Sequence, residues 1–334
     1  MKLEIYGTLG PSCCTTEILV NMLNAGRSGV RLNLSHGNLA EKKDWIESFH
    51  QACQITGIHA DFMIDMQGPE LRLKAVDTGF TLSAEEEILL DDTILPAQIL
   101  QQAQPADRVL IDDGKIQLSV IRKKDNALQC KVIYGGKLKP SKSIMIQGKN
   151  LRGSVLTDND KTNLKEAADY GVTAIMQPFV SSQQDLIELK KTLCDCQCDH
   201  LKIYAKIENN DGVEHMEELM HQCDCIVIAR GDLANACSLT KLPFVQKKIE
   251  QLCRKHKQPY MVVTEMLNSM IEHPTPTRAE VSDVFHAVYH GASAIMLTGE
   301  TASGNYPAEA MNIFVQVAQE ALEFLEETKE KNND

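Results

Sequence analysis

The strongest constraint on the fold of this chain is a repeated alternation of short apolar runs, polar or charged tips, and helix-like stretches. Leu201-Lys202-Ile203-Tyr204-Ala205 leads into Lys206-Ile207-Glu208-Asn209-Asn210, and Cys225-Ile226-Val227-Ile228 leads into Ala229-Arg230-Gly231-Asp232-Leu233. Strand, tip, helix, strand is the pattern of a parallel sheet. A helical crossover returns the chain to the same edge, so the two tips are expected side by side at the C-terminal ends of neighbouring strands. One ammonium, Lys206, then meets two carboxylates, Glu208 and Asp232. Two carboxylates suit Mg²⁺, which takes few protein ligands and leaves positions for substrate oxygens. A lysine beside them suits negative charge developing on a phosphoryl group or an enolate. On these residues alone, solvated loop ends read equally well.

The same alternation recurs along the chain. Before residue 70, apolar runs predict strands over Leu3–Thr8, Gly29–Gly37 and Ala60–Ile64, with helices following the first two. After residue 152 they predict strands over Val172–Met176, Leu201–Ala205, Cys225–Ile228, Tyr260–Val263 and Ser293–Leu297. Helices are expected between them, over Ser182–Cys194, Asp211–Cys223, Leu242–His256 and Thr277–His290, and over Pro307–Lys329 at the end. Thr277-x-x-Glu280 has the form of a capping box. Between Leu71 and Arg152 the pattern changes to short β-like runs over Glu87–Leu90, Arg108–Ile111, Gln117–Arg122, Leu128–Ile133 and Ser143–Ile146. Turn signals such as Asp112-Asp113-Gly114 and Gly135-Gly136 separate them. Three strands before the interruption and five after it make eight, the count of an α/β (β/α)₈ TIM barrel. The expected organisation is a barrel of residues 1–70 and 153–334, with residues 71–152 inserted as a small all-β lid domain. A doubly wound sheet competes, but no G-x-G-x-x-G turn follows the first strand.

Bulk properties narrow the chemistry. A net charge of −12 without a basic stretch argues against nucleic acid as a partner. No apolar segment reads as a signal peptide or a membrane span, and eleven cysteines without such a leader fit reduced thiols in the cytoplasm. Cys194-x-Cys196-x-Cys198 lacks the paired spacing and histidines of a zinc site.

In a (β/α)₈ barrel the reactive residues collect at the C-terminal strand ends. Those ends carry Arg31, Asn33, Ser35 and His36; Asp65; Lys206 and Glu208; Gly231 and Asp232; Thr264 and Glu265; and Thr298, Glu300 and Thr301. Cations, carboxylates and oxygen donors, with no Ser-His-Asp or Cys-His dyad, favour metal-assisted chemistry on a small anionic molecule.

Seven stretches also carry a family resemblance. They are Arg31-Leu32-Asn33-Leu34-Ser35-His36-Gly37, Asp65-Met66-Gln67-Gly68-Pro69-Glu70-Leu71-Arg72, Lys206-Ile207-Glu208-Asn209, Ala229-Arg230-Gly231-Asp232-Leu233, Thr264-Glu265-Met266-Leu267, Pro276-Thr277-Arg278-Ala279-Glu280-Val281-Ser282-Asp283 and Leu297-Thr298-Gly299-Glu300-Thr301-Ala302. In order and spacing the chain resembles pyruvate kinase from about Thr8 to Glu320, ending where that family continues into a C-terminal regulatory domain. The resemblance implies a Mg²⁺- and K⁺-dependent kinase of glycolysis that transfers the phosphoryl group of phosphoenolpyruvate to ADP, giving pyruvate and ATP. By position it implies Glu208 and Asp232 as Mg²⁺ ligands, and Asn33, Ser35, Asp65 and the carbonyl of Met66 as a K⁺ site, with Glu70 at the position that accompanies K⁺ dependence. Lys206 is implied at the moving phosphoryl group and the enolate, and Arg31 at the phosphate. Gly231, Asp232 and Thr264 are implied at the carboxylate, with Thr264 near the proton path. His36, Arg72 and Lys142 are implied at the nucleotide. A homo-oligomer through the barrel is left open.

The chain departs from the family at several of these places. Met66-Gln67 replaces Thr-Lys, Ala234 replaces a glycine at a tight helix start, and Glu265 replaces a glutamine. The lid reads Lys142-Ser143-Ile144-Met145-Ile146-Gln147-Gly148, and Gln177-Pro178-Phe179-Val180-Ser181-Ser182 follows the fourth strand. These departures keep two other readings in view: a paralogue with a changed substrate or metal-dependent enolate or aldolase chemistry, and a non-catalytic regulatory homologue.

Overall fold

The structure, a computed structural model, describes residues 3–35, 37–74, 81–112, 114–149, 151 and 153–331. In chain order the first elements are β1 (Glu4–Leu9), α1 (Thr16–Asn24), β2 (Gly29–Asn33), α2 (Lys43–Thr56) and β3 (Asp61–Asp65). The insertion holds β4 (Thr81–Leu82), β5 (Glu87–Asp91), α3 (Ala97–Gln102), β6 (Arg108–Ile111), β7 (Ile116–Lys124), β8 (Ala127–Tyr134), β9 (Gly136–Lys137) and β10 (Ile144–Ile146). The chain resumes with α4 (Asp158–Glu166), β11 (Ala174–Gln177), α5 (Gln183–Asp195), β12 (Lys202–Ile207), α6 (Asn210–Glu214), α7 (Met216–Met220), β13 (Cys225–Ala229) and α8 (Arg230–Cys237). It ends with α9 (Leu242–His256), β14 (Tyr260–Val263), α10 (Arg278–Tyr289), β15 (Ala294–Leu297), α11 (Gly299–Ala302) and α12 (Pro307–Lys331).

Strands β1, β2, β3, β11, β12, β13, β14 and β15 close into a parallel barrel in that order. Every residue of β11, β13, β14 and β15 is buried. Strands covered on both faces read as unbroken apolar runs, which is why they stood out in the sequence. One set of side chains fills the barrel, among them Tyr6, Met63, Met176, Tyr204, Val227, Met261 and Met296. The opposite set packs outward against the helices, where Leu19, Phe49, Leu189, Ile249, Val284 and Phe314 lie in the larger core.

Helix starts follow their caps. Thr157, Ser182 and Thr277 form capping boxes with Asp160, Asp185 and Glu280. Asp160 does more than cap α4. Its carboxylate also accepts from the amides of Gln67, at 2.8 Å, and Gly68, at 3.0 Å, which fixes the turn after β3. The barrel seam is stitched by side chains. Thr301 Oγ1 accepts from the Thr8 amide at 2.9 Å and donates to the Thr8 carbonyl at 2.9 Å, while Thr8 Oγ1 donates to the Leu297 carbonyl at 3.0 Å. Gly10 is required at this seam, because a Cβ there would lie 2.4 Å from the Ala302 carbonyl oxygen.

The insertion is β-rich as expected, with an antiparallel sheet in the order β10-β6-β7-β8-β5 and a small pair, β4-β9. It has a separate core that includes Leu90, Ile99, Ile111, Leu118, Leu128, Val132 and Ile146. Its first and last segments pair with each other where the chain leaves and re-enters the barrel. Leu73 donates to the Lys142 carbonyl at 2.8 Å and Ile144 to the Leu71 carbonyl at 2.9 Å, with Arg72 and Ser143 bridged between them, and on the barrel side Gly153 donates to the Pro69 carbonyl at 2.9 Å.

Several expectations need correction. The helix expected over Asp211–Cys223 is broken at His215 into α6 and α7. The insertion contains a helix, α3, whose six residues are too few to show a period. Lys206 lies within β12 rather than beyond it. Among the described residues no helix is long and apolar enough to cross a membrane.

Candidate active site

The two tips that opened the sequence reading are neighbours, since β12 and β13 pair in parallel with Lys206 opposite Val227. The charges around Lys206 form a connected chain. Its ammonium lies 3.2 Å from Asp65 Oδ2 and 3.0 Å from Glu208 Oε1. The guanidinium of Arg31 reaches the same Asp65 oxygen through Nε, at 3.1 Å, and through a closer contact from its terminal nitrogen. Asp65 and Glu208 side chains are only 2% exposed and Lys206 14%, so the charges lie in a poorly solvated floor. Burial pushes the Asp65 carboxyl up, but Lys206 and Arg31 outweigh it and hold it below its ordinary value. Burial likewise works to discharge Lys206, and the carboxylates of Asp65 and Glu208 overcome it, so the ammonium is held above the usual lysine range. The other Glu208 oxygen accepts from the Phe179 amide at 2.8 Å.

Above this floor lies a cleft lined by Arg31, Asn33, Ser35, Met66, Gln67, Glu70, Arg72, Asp112, Lys142, Lys206 and Asp232, with Ser143, Pro178 and Phe179 completing the wall. Barrel and insertion both contribute, so it lies between them. Arg72 pairs with Glu70, and Lys142 lies 2.8 Å from Asp112. An adjoining cleft shares Glu70, Ser143, Phe179 and Asp232 and adds Glu208. Glu208 and Asp232 thus border the same space, while Asp65 sits behind Arg31 and Lys206. Among the described residues no group of three or more acidic, histidine or cysteine side chains could hold a metal. A pair of carboxylates bordering an open cleft is the donor set that suits Mg²⁺ with substrate oxygens. A second set of hard donors lies at the ends of β2 and β3, where Asn33 stands opposite Asp65 in register, Ser35 lies two residues on and Met66 follows Asp65. Asn33 Oδ1 accepts from the Ser35 amide at 3.0 Å. His36 lies outside the described residues.

Gly231 and Thr264 meet each other and are not among the residues that line either cleft. Gly231 is in the first turn of α8, and a Cβ there would lie 3.3 Å from Thr264 Cγ2. Thr264 and Glu265 both have left-handed backbones, φ 77° and 53°, which is uncommon outside glycine and more so for a β-branched residue. Ala234, at the place of the family's glycine, lies inside the regular turns of α8. Glu265 is exposed.

Comparison with known proteins decides the family. The family model "Pyruvate kinase, barrel domain" matches residues 1–311. The chain belongs to the pyruvate kinase family. Pyruvate kinase of Mycobacterium intracellulare is 36% identical over 325 residues, covering 94% of this chain and 69% of that enzyme. Pyruvate kinase of Clostridium perfringens is 31% identical over 332 residues, covering 96% of this chain and 70% of its own. The enzyme named pyruvate kinase in Chlamydia muridarum is 33% identical over 330 residues, covering 96% and 69%. Membership in the pyruvate kinase family makes this chain a phosphotransferase of that kind.

Two parts of the site were not read from the sequence as such. The Phe179 amide on Glu208 comes from a backbone at φ 53°, which no side-chain pattern signals. Rim residues Glu300 and Thr301 turn inward, at 1% and 0% exposed. Glu300 accepts from the amides of Leu267, at 3.0 Å, and Thr298, at 2.8 Å.

Proposed function

We propose that the cleft binds phosphoenolpyruvate and ADP and transfers the phosphoryl group between them, giving pyruvate and ATP. The observation that carries this reading is the Lys206 ammonium held between Asp65 and Glu208 on a buried floor, with Arg31 on the same carboxylate. Phosphoryl transfer passes through a loose transition state, so the protein's task is to position the reactants and neutralise charge. Arg31 would grip the phosphoryl group with its planar fork. As the bond from phosphorus to the enol oxygen breaks and the ADP oxygen bonds to phosphorus, negative charge grows on the enolate. Lys206, already fully charged, lies where it would stabilise that charge without reorganising. The amides of Gly231 and Asp232 at the start of α8, with Thr264, would hold the carboxylate. Thr264 would lie near the path by which the enolate carbon gains its proton. Arg72, Lys142 and His36 are assigned to the nucleotide.

Mg²⁺, held by Glu208 and Asp232, would neutralise phosphoryl charge, and K⁺ would be held by Asn33, Ser35, Asp65 and the Met66 carbonyl. Residues 71–152 act in this reading as a lid over residues 1–70 and 153–334, excluding water from the transfer. A cytoplasmic location agrees with eleven free cysteines, and homo-oligomers through the barrel are part of the proposal. A coupled pyruvate-release assay with and without K⁺ tests it, run beside Glu208→Ala. Turnover that needs Mg²⁺, rises with K⁺ and falls at least a hundredfold in Glu208→Ala is the expected result; no ADP-dependent pyruvate release sinks it.

A further inference from the structure

We infer that Arg230 is a positioning residue, which holds the Thr264–Glu265 backbone in its left-handed conformation and so presents Thr264 to the first turn of α8. Arg230 opens α8 directly after β13, and its side chain is 11% exposed. Its guanidinium reaches across to the turn after β14. Nε and Nη2 donate to the Thr264 carbonyl at 3.1 and 2.6 Å, and Nη2 also lies 3.2 Å from the Glu265 carbonyl and 3.1 Å from Met266 Sδ. Nη1 donates to Asp283 Oδ2 of α10 at 2.6 Å, so the buried charge is matched.

These contacts fall on the two residues whose backbone is unfavourable. Consecutive left-handed residues persist only where the surroundings over-determine them, and Thr264 and Glu265 have φ of 77° and 53°. A left-handed residue redirects its carbonyl, and both redirected carbonyls meet the planar fork of Arg230. A lysine, with a single ammonium, cannot span them in the same way. The rest of the turn is tied separately. Leu267 donates to Glu300 at 3.0 Å, and the Ser269 amide to Glu280 at 2.7 Å. Arg230 therefore fixes the end of the turn nearest α8, where Thr264 Cγ2 packs against Gly231. Neither the resemblance nor the site reading gives Arg230 a role. The kinetic half of the inference rests on the proposed part of Thr264 in the reaction; the structural half does not.

The test compares Arg230→Met, Arg230→Lys, Thr264→Ala and the double variant Arg230→Met/Thr264→Ala in the full chain. Two readouts are taken: hydrogen–deuterium exchange of the peptide spanning 264–270, and steady-state kinetics with phosphoenolpyruvate and ADP. Arg230→Met is expected to speed exchange in that peptide at least tenfold. It should lower kcat by about 10²-fold, the scale of a small misplacement at a reacting centre, with KM for ADP within twofold. Arg230→Lys should fall between it and the unaltered enzyme. The double variant should be no slower than Thr264→Ala, because sites acting as one unit are not additive. Unchanged exchange in Arg230→Met, or multiplicative losses in the double variant, overturns the inference. If the unaltered chain shows no transfer yet Arg230→Met still loosens residues 264–270, the proposed reaction fails and the structural role stands. Should Arg230→Met not fold, Asp283→Asn takes its place, removing the partner of Nη1; unchanged exchange at 264–270 in that variant also refutes the role.

Discussion

Lys206→Met tests whether the floor of the cleft is a charge-matched, desolvated cluster. The substitution keeps most of the aliphatic stem and removes the ammonium that lies 3.2 Å from Asp65 and 3.0 Å from Glu208. Removing one partner of a buried ion pair costs about 3–5 kcal/mol, because the remaining charge is left buried. Asp65 keeps Arg31 and Glu208 keeps the Phe179 amide, so the low end applies, about 3 kcal/mol near pH 8. The sign with pH follows from the shifts. Asp65 is held below its ordinary value in the folded chain, so its stabilising contribution is present above the unfolded value of about 3.9 and is lost as pH falls below it. Lys206 is held above its ordinary value, so its contribution is complete below the unfolded value of about 10.4 and is lost only as pH rises past it. Between about pH 5 and 9 the unaltered protein should therefore gain or lose little from this cluster. In Lys206→Met one of the two cations opposing burial at Asp65 is gone. The folded carboxyl moves up, and stability is then lost as pH rises through its new value. The gap between the two proteins should be widest near pH 8 and should narrow toward pH 4. Urea unfolding at pH 8, 6.5, 5 and 4 measures it. A gap under about 1 kcal/mol at pH 8, or one that stays constant to pH 4, would refute the argument. Pyruvate formation by the same variant should fall by about 10³-fold or more, the scale for a cation that acts on a transferring phosphoryl group.

Other outcomes follow from the same geometry. Gln67→Lys adds a cation to a cleft lined by Arg72 and Lys142, and should lower KM for ADP by roughly fivefold, the equivalent of about 1 kcal/mol; rising salt should erase the gain. Glu280→Ala removes the α10 capping box and the acceptor for the Ser269 amide, and should cost about 2 kcal/mol in urea unfolding. Glu250→Ala removes a carboxylate that is 0% exposed and accepts from Lys247 at 2.7 Å and Gln246 at 2.9 Å. Calorimetry should show a loss of about 3 kcal/mol while kcat holds, since Glu250 lines neither cleft.

The barrel was legible because its strands are covered on both faces, so β11, β13, β14 and β15 are unbroken apolar runs, each ending in a polar tip. The charged floor was legible because Asp65, Lys206 and Glu208 lie at or just beyond the C-terminal ends of such runs. What escaped the sequence is set by backbone direction. Glu300 and Glu265 both read as rim carboxylates, yet one turns inward onto amides and the other faces solvent. Nothing local in the sequence marks the left-handed backbone that carries Glu265 outward, or the two amides that Glu300 meets. Phe179 and Thr264 sit at positive φ without glycine, so their contacts depend on partners from other elements. Arg230 was visible as one letter of a motif. Its contacts lie 34 and 53 residues further along the chain, beyond any spacing rule.

The stitch between Thr8 and Thr301 has a consequence for how the chain is made. These partners are 293 residues apart, and β1 bonds on one side to β2 and on the other to β15, the last strand of the barrel. At synthesis rates of about 5–20 residues per second, β1 leaves the ribosome roughly 15–60 seconds before β15 exists to pair with it. Through that interval one edge of β1 stays open, a template for any other unpaired strand. Ring closure is therefore a late event on a growing polypeptide, and the residues that complete it are among the last barrel residues to be translated. A release of synthesis anywhere before Ala294 yields a chain whose first strand can never find its second neighbour.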